Sequence, residues 1–88
     1  GVGTLVAAGD IALARGALVA PLGTSAIDYY RRAVALDPAN DAARIGLAAV
    51  ADALLRDADA ALTAGRLAEA ESAVRAAGLA RPDDPRLQ

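Results

Sequence analysis

The sequence lacks cysteine, histidine, lysine, methionine, phenylalanine and tryptophan, and its only aromatic residues are Tyr29 and Tyr30. Without cysteine, the chain can form neither a disulfide nor a thiolate metal site. Histidine, cysteine and lysine are the side chains most often used as general bases and nucleophiles, so their absence argues against catalysis. We therefore expect a protein that is not an enzyme, with no catalytic residue, no cofactor and no metal.

Positive charge is also scarce. Nine arginines stand against eleven acidic residues, which gives a net charge of −2, whereas nucleic-acid binding would require a basic surface. The most apolar stretch, residues 5–22, contains Asp10 and Arg15 and is too interrupted to span a bilayer. No basic segment precedes this stretch, so we expect no signal peptide. These features predict no nucleic-acid partner and no direct membrane insertion.

Alanine dominates what is present, with 26 of the 88 residues. An alanine side chain buries little area, so the core must come from leucine, valine and isoleucine, and we expect modest stability. Arginine as the only basic residue type, together with abundant alanine, is typical of GC-rich bacterial genomes. The compartment stays open between cytoplasm and periplasm.

The two halves of the chain share a sequence pattern. The run from Ala26 to Pro38 is similar to the run from Ala70 to Pro82, at a constant separation of 44 residues. Alanine, apolar and proline positions that recur at a fixed period indicate a helical repeat protein. We expect one domain over 1–88, with one repeat over about 4–40 and a second over about 41–84.

Start and stop signals predict two helices in the first repeat. The first helix is expected from about Leu5 to Ala14 with Thr4 as its N-cap, and Gly9 inside it suggests close packing. Ser25 and Asp28 form a capping-box variant at the start of the second helix, which Asp37-Pro38 ends. The residues expected to face inward on this helix are Ala26, Ile27, Tyr30, Ala33, Val34 and Leu36.

The second repeat is expected to contain a long helix and a short one. The third helix runs over about 41–64, capped by Asn40 or Asp41, and the fourth over about 68–77, with Gly78 just past its end. Asp52 and Arg56 are expected to pair on the polar side of the third helix. The residues expected inward are Leu47, Ala51, Leu54, Leu55, Ala58, Ala61 and Leu62 on the third helix, and Ala70, Ala73, Val74 and Ala77 on the fourth. Residues 81–85 are expected to form a linker or to lead into another repeat, and no segment has the pattern of a strand.

These residues resemble the tetratricopeptide repeat. That family places small residues where its two helices cross, an aromatic residue in the second helix and a proline after it, and Ala26, Tyr30, Ala33 and Pro38 occupy those places. The second copy offers Ala70, Val74, Ala77 and Pro82. The separation of 44 exceeds the family's repeat of about 34, which we place in the extended third helix. The resemblance implies an all-α fold of two antiparallel helical hairpins, stacked as a fragment of a right-handed α-solenoid.

The resemblance also implies a function. Members of the family bind peptides or partner helices in a groove lined by the first helix of each repeat, which would make this chain a non-catalytic protein–protein interaction module. Tyrosine and arginine are enriched at binding hot spots, so the exposed pair Tyr29 and Arg32 joins the candidate partner-binding set. That set is Ile11, Arg15, Tyr29, Arg32, Asp52, Leu55 and Asp59. The alternative is a structural spacer or a homodimerisation domain of a larger bacterial envelope or signalling protein.

Two further segments have features of an anion site and of a calcium site. Residues 23–25 precede a helix, where free amides can bind an anion, but capping explains them better. Asp83 and Asp84 beside Asp57 or Asp59 offer carboxylates to calcium, although no EF-hand loop is present. We therefore expect no metal site there.

Overall fold

The computed structural model describes all 88 residues and contains four α-helices and no strand. The helices are α1 (Val2–Ala14), α2 (Ala26–Leu36), α3 (Asp41–Thr63) and α4 (Leu67–Ala80), and a short 3₁₀ helix (Pro85–Leu87) follows them. The all-α class predicted from the sequence is confirmed. No helix is both long and apolar enough to cross a membrane.

The predicted caps of the two middle helices are confirmed. The Ser25 hydroxyl accepts a hydrogen bond from the Asp28 amide at 3.3 Å, and α2 begins at Ala26, directly after Ser25. Asn40 Oδ1 accepts one from the Ala43 amide at 2.9 Å, and α3 runs unbroken from there to Thr63. Each cap satisfies an amide that has no partner inside its helix.

The outer helices are longer than predicted. α1 begins at Val2, because the Leu5 amide already donates to the Gly1 carbonyl at 3.3 Å, so Thr4 lies inside the helix and is not its N-cap. α4 continues through Gly78 to Ala80, and Arg81 ends it with φ −145° and ψ 84°. The residue that ends α4 is therefore the one before Pro82, whose ring disfavours helical backbone at the preceding position.

The centre of the core is the ring of Tyr30, which is fully buried between two glycines. A Cβ atom added to Gly9 of α1 would lie 2.6 Å from the Tyr30 ring, and one added to Gly46 of α3 would lie 2.5 Å from it. The Tyr30 hydroxyl donates to Asp10 Oδ1 at 2.5 Å. The Tyr30 ring thus fills a gap between α1 and α3, which exists because each of these helices has a glycine there. This confirms the close packing expected at Gly9.

Around Tyr30, α1 packs chiefly on α2, α3 packs chiefly on α4, and α2 and α3 join the two pairs. The other members of the central cluster are Ala12, Ala26, Ile27, Val50, Ala51, Leu54, Ala77 and Ala80. The prediction was wrong for three residues, since Leu36, Leu62 and Val74 are 65%, 53% and 42% exposed. Leu36 is the last residue of α2, and Leu62 and Val74 lie on a side of the α3–α4 pair that no further helix covers.

Candidate functional site

The largest surface depression lies along α3 and α4 and has a volume of about 890 Å³. We call it the α3–α4 groove. Its apolar lining consists of Val19, Leu54, Ala60, Ala61, Ala68, Ala73, Ala76 and Leu79. Because most of these side chains are a single methyl group, the backbone of an incoming segment can approach both helices closely.

The edge of the groove is formed partly by the long segment between α1 and α2. Two backbone hydrogen bonds hold this segment, from the Ala26 amide to the Ala17 carbonyl at 2.7 Å and from the Ile27 amide to the Leu18 carbonyl at 3.0 Å. They place Val19, which is 43% exposed, beside the groove. Val19 therefore offers the groove a branched apolar contact from the other half of the chain.

Charges of both signs surround this apolar lining. Arg66 lies 3.9 Å from Glu69, and Arg75 lies 4.0 Å from Glu71 and donates to the Ser72 hydroxyl at 3.4 Å. All four charged side chains are about two-thirds exposed or more, and such exposed pairs contribute little to stability. Arg66 and Arg75 are therefore only weakly held by their ion pairs, and Asp57 at the groove is also exposed.

Tyr29 and Arg32 are brought together, but Tyr29 is partly buried against the core cluster and is not exposed as predicted. The Arg32 guanidinium lies 4.8 Å from the centre of the Tyr29 ring, within the range of a cation–π contact. Arg32 also donates to the Asp28 carbonyl at 3.3 Å and to the Gly23 carbonyl at 2.5 Å. Its bonding capacity is thus partly used in fixing the loop before α2.

The other five sequence-predicted residues are dispersed. Ile11 and Arg15 are exposed at the end of α1, and Asp59 is exposed on α3. Leu55 is partly buried against the core cluster, and Asp52 is half exposed. None of the seven predicted residues lines the α3–α4 groove, so their role in partner binding stays a prediction.

The predicted pair between Asp52 and Arg56 does not form, because Asp52 binds Arg86 instead. Arg86 Nη2 donates to Asp52 Oδ1 at 2.7 Å, and the same guanidinium makes a very short contact to Asp84. Asp84 is fully buried and also lies 3.6 Å from Arg81. The hydrogen bonds from Arg86 hold the pKa of the Asp84 carboxyl well below its usual range and raise the pKa of Arg86, and the charge of Arg81 lowers the pKa of Asp84 further.

We call this network of Asp52, Arg81, Asp84 and Arg86 the C-terminal clamp, because it ties the 3₁₀ helix to α3. Sequence reasoning missed the clamp, since it predicted only that residues 81–85 form a linker or lead into another repeat. A signal was present, since Asp84 stands 44 residues after Asn40, the N-cap of α3. The Asp84 side chain caps the 3₁₀ helix by accepting from the Arg86 amide at 2.9 Å.

The two lesser sites take other roles. Asp28 supplies the anion for residues 23–25 itself, since its Oδ2 atom accepts from the Gly23 amide and the Ser25 hydroxyl, each at 2.7 Å. The hydrogen bond from Ser25 is the main reason that the pKa of Asp28 is lowered. No group of three or more carboxylates is placed to hold a metal ion.

Comparison with protein-family models, with curated proteins and with solved structures finds no match to this chain.

Proposed function

We propose that this protein is a non-catalytic interaction module that binds a partner helix or peptide in the α3–α4 groove. The observation that carries the proposal is the lining of the groove, in which eight of thirteen residues are hydrophobic and five of those are alanine. An alanine-lined surface beside mixed charges suits close packing of an amphipathic helix, with apolar anchors inward and polar side chains at the edges.

We propose further that the four helices are two tetratricopeptide-like hairpins stacked as a fragment of a right-handed solenoid. The turns of the two halves support this arrangement. Arg15 (φ −84°, ψ −3°) and Ala64 (φ −83°, ψ −2°) follow α1 and α3, and each precedes a left-handed glycine, Gly16 at φ 74° or Gly65 at φ 75°. The same local conformation thus follows both of the helices that start a proposed hairpin.

The partner we propose is a helix with large apolar residues at helical spacing. Such residues would contact Val19 and Leu79, which are 43% and 57% exposed at the groove. An acidic side chain on the partner helix would pair with Arg66 or Arg75, and a basic one would pair with Asp57. Specificity then comes from the order of charges along the helix, because the apolar contacts tolerate many sequences.

Selection of peptides from a displayed random library tests this function. Peptides that bind the intact chain are expected to carry apolar residues at positions i, i+3 or i+4 and i+7, and Ala73→Arg is expected to weaken their binding at least tenfold. Ala35→Arg is the matched control, because Ala35 is an exposed alanine within α2. Equal binding to the intact chain and to Ala73→Arg would show that the groove is not the binding surface.

A second candidate is a structural spacer or homodimerisation unit. Nine large hydrophobic side chains are more than two-fifths exposed, and exposed apolar surface is typical of association sites. In that case the partner is another copy of the same chain. Homodimerisation would double the mass of the molecule in solution, whereas the interaction module without its partner would be a monomer.

A further inference from the structure

The segment between α1 and α2 lies at one edge of the α3–α4 groove and belongs to no helix. Val19 is the residue of this segment that lines the groove. The amides of Val19, Ala20 and Leu22 donate no hydrogen bond, and Pro21 has no amide to donate. The position of Val19 therefore depends on how the chain is held on either side of residues 19–22.

On the side towards α1, backbone groups alone hold the segment. The Ala17 amide donates to the Ala12 carbonyl at 2.9 Å, and the Ala17 and Leu18 carbonyls accept from the first two amides of α2. These bonds require no particular side chain. This anchor is therefore not expected to depend on which side chains α2 carries.

On the side towards α2, the anchors are side chains of that helix, and both bind Gly23. Asp28 Oδ2 accepts from the Gly23 amide at 2.7 Å, and Arg32 Nη2 donates to the Gly23 carbonyl at 2.5 Å. The Ser25 hydroxyl donates to the same Asp28 oxygen at 2.7 Å, which helps to hold the carboxylate in place. Hydrogen bonds to an ionised group are stronger than those between neutral groups, so the charge of Asp28 strengthens this anchor.

We propose that Asp28 is a positioning residue for the α3–α4 groove, which holds Gly23 and thereby keeps Val19 in place to contact a partner. Asp28 does not itself line the groove, so it acts on binding only through residues 19–22. A loop that is already ordered before binding avoids the entropic cost of being ordered by the partner. The inference rests on the proposed binding of a partner in this groove.

The first measurement needs no partner. The amide heteronuclear NOE reports picosecond-to-nanosecond motion of the backbone, and we expect its value at Val19, Ala20 and Leu22 to fall in Asp28→Ala. Asp28→Asn retains the size of the side chain and one acceptor oxygen, and we expect a smaller fall. Far-UV circular dichroism establishes that each variant is still helical.

Asp37→Ala is the matched control, because Asp37 also accepts a loop amide, that of Ala39 at 3.2 Å, but at the other end of α2. We expect this variant to leave the NOE values of residues 19–22 unchanged. Unchanged values in Asp28→Ala, or an equal fall in the two variants, would overturn the proposal.

The second measurement uses a peptide selected on the intact chain whose binding is weakened by Ala73→Arg. We expect Asp28→Ala to weaken the binding of this peptide about threefold or more, through the lost order of the loop, and Asp37→Ala to leave it unchanged. Because two residues that act through one contact are not additive, this loss is expected to disappear in a chain that already carries Val19→Ala. An equal loss with and without Val19→Ala would show that Asp28 acts by another route, and the proposal would be wrong.

The two measurements separate this inference from the proposed function. A library that yields no peptide sensitive to Ala73→Arg contradicts partner binding in the groove, whereas the NOE values still decide whether Asp28 anchors residues 19–22. A sensitive peptide whose affinity is unaffected by Asp28→Ala supports the groove as the binding surface and overturns only the role of Asp28.

Discussion

At the scale of single residues, Tyr30 determines how closely three helices approach. Its ring contacts the backbone of α1 at Gly9 and that of α3 at Gly46, and its hydroxyl reaches Asp10. The sequence predicts a buried Tyr30 because an aromatic residue follows the apolar spacing of α2. The sequence does not predict which glycines contact the ring. Gly46 is distant from Tyr30 in sequence, and the apolar pattern of α3 does not indicate what Gly46 packs against.

The close approach at Gly46 reverses the usual effect of replacing glycine in a helix. Alanine normally stabilises a helix interior by about 1 kcal/mol relative to glycine, but a Cβ atom here would overlap the Tyr30 ring. We expect Gly46→Ala to lower the free energy of unfolding by about 1–3 kcal/mol, measured by urea denaturation. Gly78→Ala is the control and is expected to be stabilising, since its Cβ atom would meet Leu87 at an ordinary 3.8 Å. A stabilising Gly46→Ala would contradict the packing described.

Tyr30 also makes stability sensitive to alkaline pH. Burial, together with the hydrogen bond to Asp10 and the charge of Asp10, raises the pKa of the Tyr30 phenol above its ordinary value. Its contribution to stability is therefore complete below about pH 10, the pKa of an unfolded tyrosine, and is lost as the pH rises towards the higher folded value. The chain has no lysine or cysteine, so tyrosine is the only residue type in it whose ordinary side-chain pKa lies near pH 10.

We expect the intact chain to lose up to about 1.4 kcal/mol of stability per pH unit above about pH 10 through this group. Tyr30→Phe is expected to be less stable at neutral pH, because it leaves Asp10 without its hydrogen bond, but to lack this part of the alkaline loss. Urea unfolding between about pH 8 and about pH 11 measures the difference. Parallel pH profiles for the two proteins would show that Tyr30 remains accessible to ionisation in the folded state.

At the scale of elements, local signals predict the starts of α2 and α3 because capping depends on a few neighbouring residues. The ends of α1 and α4 are less predictable, since α1 has no side-chain cap and α4 continues through Gly78 to Ala80. Within the clamp, the contact between Asp52 and Arg86 could not be derived from spacing, because the two residues are far apart in sequence and meet only after α3 and α4 have packed.

The clamp gives the C-terminal element a distinct pH dependence. The pKa of Asp84 is lowered in the folded chain, so its contribution to stability is present above the unfolded value of about 4 and is lost as the pH falls through the lower folded value. We expect Asp84→Asn to keep the cap, as Asn40 does for α3, but to lose the attraction to Arg81 and Arg86. Faster amide hydrogen exchange is then expected at residues 84–88, with the protection of α2 unchanged.

Asp83→Asn provides the control for this measurement, because the Asp83 side chain is 88% exposed and its distance to Arg81 is 3.9 Å. Its exchange pattern is expected to match that of the unmodified chain. Equal acceleration in the two variants would indicate that charge near the chain end, and not the buried carboxylate, holds the 3₁₀ helix.

At the scale of the whole molecule, alanine limits what the sequence can predict. Ten of the fourteen buried hydrophobic residues are alanine, and nearly as many alanines are exposed, Ala35 and Ala60 among them. A helical stripe of alanine therefore does not reveal which side of a helix is covered. This explains why the four helices were predictable, whereas the exposure of Val74 and the groove along α3 and α4 were not.

The oligomeric state follows from how completely one chain encloses its large side chains. Tyr30 and Val50 are fully buried and Leu54 is 4% exposed within a single copy, so the core needs no second chain. We expect sedimentation equilibrium to report a monomer and circular dichroism to show helicity that is independent of concentration. A dimer whose helicity falls on dilution would favour the structural alternative, in which the exposed leucines and valines form a self-association surface. A monomer leaves the α3–α4 groove open to a different protein, which is the condition that the proposed interaction module requires.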